Sequence, residues 1–435
     1  MSHPRRHVRA RPVLALAAAM VLSGARLLAQ PIADQSSCEV CHADERVAYE
    51  DSAHAKTGMT CVDCHGGDPK DMHETAMAPR TGFRPAPTRE EIPQVCASCH
   101  ADRERMRPYG LPTSQFEDYQ TSMHGQRHNQ GDMTAAICVD CHASGREKGM
   151  HDILPVSDTR ASVHPRNVPG TCGRCHADSA KMKSYGIPTD QLDLYKGSVH
   201  GQALLVGGND AAANCVSCHG SHGALPPGIA HIDEVCGRCH QREHDLVKGS
   251  VHGGLSGGGD GQFRACLSCH GEEDGGGHGI TPPSHEMLSL TCVKCHTEDS
   301  ALAQGTEVQA LLAVAQQALE GARAQAERGK ALGFHVAAWD DVIKNALTET
   351  VQSRIAQHSL LPHDVDEHSQ AVESDRDTLK DEVDRRLKIV TVRRAALVPV
   401  WIFVAWTISM LYWKRHRAMR LLHDAPTGHG EAVEG

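Results

Sequence analysis

The apolar positions of the chain concentrate near its two ends, and the pattern between them predicts helix and loop. Val13 to Leu22 is a short apolar run, and Ala395 to Trp413 is a run of 19 residues without a charge. Over residues 30–300, Gly and Pro recur at short intervals, which predicts short helices joined by extensive loops with little sheet. Residues 301–394 are rich in Ala, Gln, Glu and Leu, which favour long helices. The sequence therefore predicts a mainly α fold.

Three helices are expected in the segment 301–394 and beyond it. The first covers Glu307 to Leu332, the second Ala338 to Gln357, and the third begins near Asp364 and continues into the apolar run, with only Pro399 interrupting it. Amphipathic Ala/Leu-rich helices often pair, so this segment is also a candidate contact in an oligomer. Four histidines lie here, and we assign none of them a ligand role: His335, His358, His363 and His368.

The two apolar runs predict a signal and an anchor. Residues 1–29 read as a secretory signal peptide, with a basic start, an apolar stretch too short to span a bilayer and a small-residue cleavage site near Ala29. Residues 395–413 are long enough to form a transmembrane helix and carry three of the four tryptophans, although a buried core helix is the alternative. An exported N-terminal part would leave residues 414–435 in the cytoplasm.

The 18 cysteines all fall in nine Cys-x-x-Cys-His motifs, and none is left over. The first cysteines are Cys38, Cys61, Cys96, Cys138, Cys172, Cys215, Cys236, Cys266 and Cys292. The second cysteines are Cys41, Cys64, Cys99, Cys141, Cys175, Cys218, Cys239, Cys269 and Cys295. The motif histidines are His42, His65, His100, His142, His176, His219, His240, His270 and His296.

This spacing predicts nine covalently bound haem c groups. Two thiols three positions apart can bond to the two vinyl groups of one haem, and the adjacent histidine then binds the iron. A redox dithiol, a zinc ribbon or a disulfide framework does not require a histidine after every second cysteine. The chain has only 5 Phe, 6 Tyr and 4 Trp, so porphyrins would form much of the core of residues 30–300.

The motifs are organised as repeated pairs. Two stretches, which start at Cys96 and Cys172, match at an offset of 76 residues, and both contain Tyr-x-x-Ser-x-His-Gly between their two motifs. Shorter versions start at Cys38 and Cys236. We number these four pairs repeats 1 to 4 in chain order, and the motif at Cys292 stands alone.

Histidines outside the motifs are the candidates for the second iron ligand. Those in a Ser-x-His frame are His54, His124, His164, His200 and His252. Those that follow the second motif of a repeat are His73, His151, His222 and His278, and His164, His231 and His285 lie shortly before a first motif. His128 and His244 recur nowhere, and we assign them no ligand role. Recurrence at matched spacing favours mostly bis-histidine haems, but it does not say which histidine serves which iron.

With these motifs and its Ser-x-His-Gly segments, the chain resembles the multihaem c-type cytochromes of nitrite, tetrathionate and extracellular-metal respiration. The resemblance covers Cys38 to His296 and implies haems in close pairs that pass electrons along a chain. The helices after residue 301 are similar in character to the C-terminal helices of the nitrite reductase and hydroxylamine oxidoreductase group. The membrane quinol dehydrogenases differ, because their anchor is usually N-terminal.

Two functions compete at this point. The first is a relay on the periplasmic face of a bacterial cytoplasmic membrane, which exchanges electrons between the quinol pool, or a membrane quinol-oxidising subunit, and periplasmic redox partner proteins. The second is a reductase or oxidase of a small nitrogen or sulfur compound at one open haem, with the haems at Cys38, Cys96 and Cys292 as candidates. We expect the relay and assign no catalytic residue. The formal net charge of −10 argues against nucleic-acid binding.

Overall fold

The structure is a computed structural model, and it describes residues 36–144, 149–225, 232–253, 266–272, 276–283, 296, 299–334 and 336–423. The predicted signal peptide, residues 1–29, and residues 424–435 of the predicted cytoplasmic tail lie outside these residues. The described residues form helices and loops and contain no strand, apart from an isolated bridge between Ala143 and Ile153. The predicted mainly α fold with extensive loops is therefore confirmed at this level.

The chain divides into two compact units. The first takes the described residues 36–225 together with His278–Thr281, and the second takes residues 232–277 and those from Pro282 onward. The division falls inside the predicted haem-bearing region, residues 30–300, so the motifs from Cys236 onward are grouped with the C-terminal helices.

Fourteen α-helices lie in the described part of the first unit, and most are short. They are α1 Ser37–Cys41, α2 Ala43–Tyr49, α3 Ala53–Lys56, α4 Cys61–His65, α5 Ile92–His100, α6 Arg103–Met106, α7 Gln115–Thr121, α8 Met123–Asn129, α9 Cys138–His142, α10 Val168–His176, α11 Ser179–Met182, α12 Gln191–Gly197, α13 Val199–Gly201 and α14 Cys215–His219. A π-helical stretch, Gln202–Val206, follows α13. The 3₁₀ turns are Glu74–Met77, Pro79–Thr81, Arg107–Tyr109, Gly149–His151 and Lys183–Tyr185.

The described part of the second unit starts with three short helices, α15 Ile232–Gly237, α16 Gln241–Gly249 and α17 Cys266–His270. Three long helices follow, α18 Asp299–Ala331, α19 Ala337–Ala356 and α20 Pro362–His423, with a 3₁₀ turn, Gln357–Ser359, after α19. These long helices lie where the sequence predicted them, and Pro399 lies inside α20 as expected.

The three long helices pack against one another along three apolar clusters. Ala315, Leu319 and Val372 belong to one cluster, and all three are buried. In another, the ring of Trp339 lies over Gly329, where a Cβ atom would come within 2.2 Å of the ring. Small residues on α18 therefore let the other two helices approach closely, and this packing supports the turn that follows α19.

The C-terminal part of α20 is apolar and exposed. Among the described residues, one helix is long and apolar enough to cross a membrane, and its most apolar window has a mean hydropathy of 1.8 with none of that window buried. Trp401 is 67% exposed and Ile402 is 64% exposed. Because this surface has no protein covering within the described residues, a membrane anchor at residues 395–413 is favoured over a buried core helix.

Candidate functional site

In six of the described motifs, the two cysteines and the histidine lie together in one helix. In α4, α9, α14 and α17 the motif is the whole five-residue helix, whereas in α5 and α10 it forms the last turn of a nine-residue helix. Residues three and four positions apart on a helix are neighbours. The sequence spacing thus places the three groups where one flat ligand can contact them together.

Within a repeat, the two motifs meet through their first cysteines. The Cys96 thiol forms a hydrogen bond with the Cys138 thiol, which raises the pKa of Cys96 and lowers the pKa of Cys138. Cys172 and Cys215 make the same contact in repeat 3. In repeat 4 the bond with Cys236 lowers the pKa of Cys266 to about 7. Two motifs separated by tens of residues in sequence are therefore adjacent in each of these repeats.

Successive repeats also meet through cysteines. The pKa of Cys64 is raised by burial and then by its neighbour Cys99, the second cysteine of the next motif. Burial, followed by the nearby Cys172, raises the pKa of Cys141 to about 12. The motifs in the first unit thus form a continuous series of neighbours in chain order.

Among the described residues, at least seven pairs of imidazole rings lie at almost the same separation. Each pair joins one motif histidine to one histidine outside the motifs, and the centroid separations run from 5.9 to 6.2 Å. The pairs are His100–His54, His65–His151, His176–His124, His142–His222, His219–His278, His296–His252 and His270–His358.

This separation fits a metal ion bound between two imidazoles. Metal–imidazole bonds of about 2.0 Å on opposite sides of one ion place the two ring centres roughly 6 Å apart. Rings that stack directly on one another would meet at about 3.5–4 Å between carbon atoms. The planes range from 8° in His142–His222 to 88° in His252–His296, so the separation is constant while the mutual orientation is not. Each pair, with the thiols of its motif, could hold a haem iron in six-coordinate form.

The pairs follow a rule that connects neighbouring repeats. The first-motif histidines His100 and His176 face His54 and His124, each supplied by the Ser-x-His frame of the preceding repeat. The second-motif histidines face residues of the following repeat that come after its own second motif, namely His151, His222 and His278. Among these pairs, repeat 2 supplies a facing ring to each of its two neighbouring repeats, through His124 and His151, and each of the five pairs joins two different repeats.

A shared Tyr-x-x-Ser-x-His motif positions the histidines of the Ser-x-His frame through two hydrogen bonds, one from its tyrosine and one to its serine. In repeat 2, the buried Ser122 accepts the backbone N–H of Gly125 at 3.0 Å and so caps α8, the helix that carries His124. Tyr119 donates its hydroxyl proton to the carbonyl oxygen of Ala136, two residues before Cys138. The same tyrosine bonds reach from Tyr49 to Met59 and from Tyr195 to Ala213 in repeats 1 and 3.

In repeats 2 and 3 the glycine after the Ser-x-His histidine allows a close backbone contact, whereas repeat 1 has Ala55 at this position. A Cβ atom on Gly125 would come within 2.0 Å of the Tyr119 carbonyl oxygen, and one on Gly201 within 1.9 Å of the Tyr195 carbonyl oxygen. The close approach fixes the start of the short helix relative to the tyrosine that binds the next motif. The glycine of the Ser-x-His-Gly pattern is therefore explained by the close contact between its Cα atom and the tyrosine carbonyl group, which leaves no room for a side chain.

A backbone hydrogen bond aligns each pair of neighbouring repeats. The N–H of the residue before the Ser-x-His histidine donates to the carbonyl oxygen two residues after the histidine supplied by the next repeat. The three bonds run from Ala53 to Ile153, from Met123 to Ala224 and from Val199 to Ile280, at 2.8, 3.3 and 2.9 Å. At each of these three junctions, a backbone hydrogen bond thus joins the segments that carry two candidate ligand histidines.

Burial keeps several of the paired imidazoles neutral. Desolvation, followed by the neighbouring His222, lowers the pKa of His142 to about 4. Desolvation is also the main cause that lowers the pKa of His54, His124 and His151, with the paired ring second. A neutral imidazole is the form that binds a metal ion, so these environments suit ligation.

The remaining candidates are placed differently. His73 is exposed and His164 is buried, with its Nδ1 atom 3.4 Å from the backbone nitrogen of Arg166, and neither faces another histidine ring within the described residues. His200 starts the short helix α13, and His240 precedes α16. His231, His285, Cys292 and Cys295 lie outside the described residues.

His358 was passed over by the sequence reasoning, and the structure places it opposite a motif histidine. Its ring lies 6.0 Å from that of His270, with an angle of 17° between the planes. It sits in the 3₁₀ turn after α19, where its Nδ1 atom is 3.0 Å from the Ile355 carbonyl oxygen, which directs Nε2 outward. The sequence provided only an indirect indication of this role. The second-motif histidines of repeats 1 to 3 face histidines from later in the chain, so the same rule predicts a later partner for His270.

The comparisons with known proteins add no further identification: no protein-family model, curated protein or solved structure matches this chain.

Proposed function

We propose that this chain is a multihaem c-type cytochrome that relays electrons along a series of bis-histidine haems. The observation that carries the proposal is the set of seven imidazole pairs with centroid separations of 5.9–6.2 Å, each containing one Cys-x-x-Cys-His histidine. Haem c would supply the redox-active iron, with the motif thiols holding the porphyrin and the two imidazoles binding the iron. An iron closed on both sides transfers electrons without binding a substrate, so the arrangement favours a relay over a catalyst.

The order of the relay follows from the contacts between motifs. First cysteines meet within repeats, as in Cys96 and Cys138, and second cysteines meet at the junction formed by Cys64 and Cys99. Haems attached at these positions would be near neighbours along the first unit. Electron tunnelling weakens steeply with distance, so such spacing supports transfer from one motif to the next in chain order.

The cellular setting of the proposal rests on the two ends of the chain. The proposed covalent haem attachment and the predicted signal at residues 1–29 support a periplasmic location for the haem-bearing part. The exposed apolar part of α20 would anchor it in the cytoplasmic membrane, with the C-terminus inside. The partners in this setting are redox proteins of the membrane or the periplasm.

Electron paramagnetic resonance of the fully oxidised, haem-loaded protein tests the proposal. We expect nine haems per chain by haem assay and at least seven of them as low-spin ferric signals typical of two imidazole ligands. A stepwise reductive titration should show the same haems accepting electrons. A protein without covalent haem, or with fewer than seven low-spin haems, would contradict the relay.

A further inference from the structure

We propose that the iron held by His42 is left open on its second side and takes a small exogenous ligand. The inference rests on the proposed function, because it requires haem attachment at Cys38 and Cys41. The observation that supports it is the pairing of imidazole rings across repeats. This pairing gives a facing ring to His65 and His100, the histidines of the next two motifs, but within the described residues it gives none to His42.

The structure reduces three candidates for an open haem to one. The sequence left the haems at Cys38, Cys96 and Cys292 without a certain second ligand. His100, the histidine of the Cys96 motif, faces His54 at 6.0 Å, and His296 faces His252 at 5.9 Å. Within the described residues, by contrast, no histidine ring lies opposite His42.

The surroundings of His42 point the same way. Its side chain is 53% exposed, and its recorded charged neighbour is Glu45, with Nδ1 and Oε2 3.9 Å apart. Glu45 lies one helical turn further along, so its carboxylate approaches the edge of the imidazole that would face away from the iron. A carboxylate in this position makes the imidazole a stronger donor to the metal without closing the opposite side.

His73 is the nearest histidine in sequence that could close this iron, and the repeat pattern argues against it. It occupies the place in repeat 1 that His151, His222 and His278 occupy in repeats 2 to 4. Those three residues face second-motif histidines, and none faces a first-motif histidine. His73 itself is exposed, and its backbone N–H donates to Asp71 Oδ1 at 2.9 Å.

None of the ring pairs formed by the described residues includes His42. The ligand class expected at the open iron is exogenous: a diatomic gas such as carbon monoxide or nitric oxide, or a small anion such as nitrite.

Carbon monoxide titration of the reduced, full-length, haem-loaded protein is the primary test. We expect one carbon monoxide bound per chain, detected as a shifted Soret band of one haem in nine. The double variant Cys38→Ala with Cys41→Ala should carry one haem fewer and lose this binding. No binding to the unaltered protein would overturn the inference, and so would binding that persists in the double variant.

A milder pair of variants covers the case in which the double variant fails to fold. Glu45→Gln removes the charge beside His42, which should raise the C–O stretching frequency of the bound carbon monoxide because the iron then donates less electron density to it. Glu50→Gln, which removes the partner of Arg46 on the same short segment, is the matched control and should leave the frequency unchanged. An unchanged frequency in Glu45→Gln would place the ligand on another haem and overturn the inference.

His73→Ala separates an open iron from one closed by His73. We expect carbon monoxide stoichiometry to stay at one per chain in this variant. If binding appears only after His73 is removed, then His73 closes the iron and the inference is wrong. The relay would stand in that case, since at least seven low-spin haems would still be present.

Discussion

At the residue scale, His124 is a side chain of one repeat that faces a motif histidine of another. It lies in the first turn of α8 in repeat 2, yet its ring faces His176 of repeat 3 at 6.1 Å. Ser122 and Gly125 fix its helix, and burial keeps its imidazole neutral. A change of this residue should therefore alter the haem on His176 and leave the haems of its own repeat intact.

We predict that His124→Met raises the midpoint potential of one haem in nine. A thioether ligand stabilises ferrous iron relative to an imidazole, and a failed ligand would leave that iron high-spin. A potentiometric titration combined with electron paramagnetic resonance measures both effects. Nine unchanged haems in the variant would contradict the pairing of His124 with His176.

His128→Leu is the matched control for this prediction. His128 lies one turn after His124 on α8, is buried, and has an Nε2 atom without a hydrogen-bond partner among the described residues. The residue 76 positions later is the buried Leu204. The variant should keep all haem potentials, because a buried unpaired nitrogen is replaced by an apolar group that the matching repeat already carries.

The sequence predicts the cysteines and the first histidine of each candidate site. It does not predict which second histidine faces that first one, and the reason is physical. The thiols and imidazole of one motif lie within five residues, so local helix geometry brings them together. The second ligand arrives through tertiary packing, as when His54 reaches His100 in the next repeat. Spacing along the chain shows which histidines recur, but it carries no information about which iron they face.

At the element scale, the turn between α19 and α20 links the helical segment to the motifs. Gln357–Ser359 ends α19, and Leu360 after it adopts a left-handed conformation with φ of 62°. This sharp turn presents His358 toward α17, whose last residue is His270. The helical segment, whose four histidines were assigned no ligand role from the sequence, thus contributes His358 to the candidate site.

We predict that His358→Ala converts one low-spin haem to high-spin. The reason is the loss of the ring that faces His270 at 6.0 Å, and the measurement is electron paramagnetic resonance of the oxidised protein. His363→Ala is the control, because its side chain lies near the start of α20 and is 90% exposed. A low-spin count that stays the same in His358→Ala would rule out ligation by this residue.

The helices themselves were predictable, whereas the role of His358 was not. Ala- and Leu-rich periodicity specifies helix over α18 and α19 through local propensity. His358 occurs once, so recurrence could not single it out, and its approach to His270 depends on the packing of the long helices against α16 and α17. A candidate ligand that lies outside any repeated motif can be identified only from the tertiary structure.

At the scale of the whole molecule, the anchor and the motifs should be separable. We predict that a chain truncated after Arg394 is released into the soluble periplasmic fraction and keeps the haem spectrum of the full chain. The basis is that none of the apolar window of α20 is buried, so its removal exposes no core. Fractionation followed by haem-stained electrophoresis measures the distribution. A truncated protein that stays with the membrane would mean that another surface provides the attachment.

The length of α20 sets a standoff distance for the redox groups of the second unit. The helix runs from Pro362 without a break, and 33 residues separate that position from Ala395, where the apolar segment begins. At a rise of about 1.5 Å per residue, this corresponds to about 50 Å along the helix axis. The haem between His270 and His358 would stand that far outside the lipid, beyond direct reach of a quinol dissolved in the bilayer. Its exchange partner would have to be a protein tall enough to rise alongside the helix, or one that diffuses freely in the periplasm.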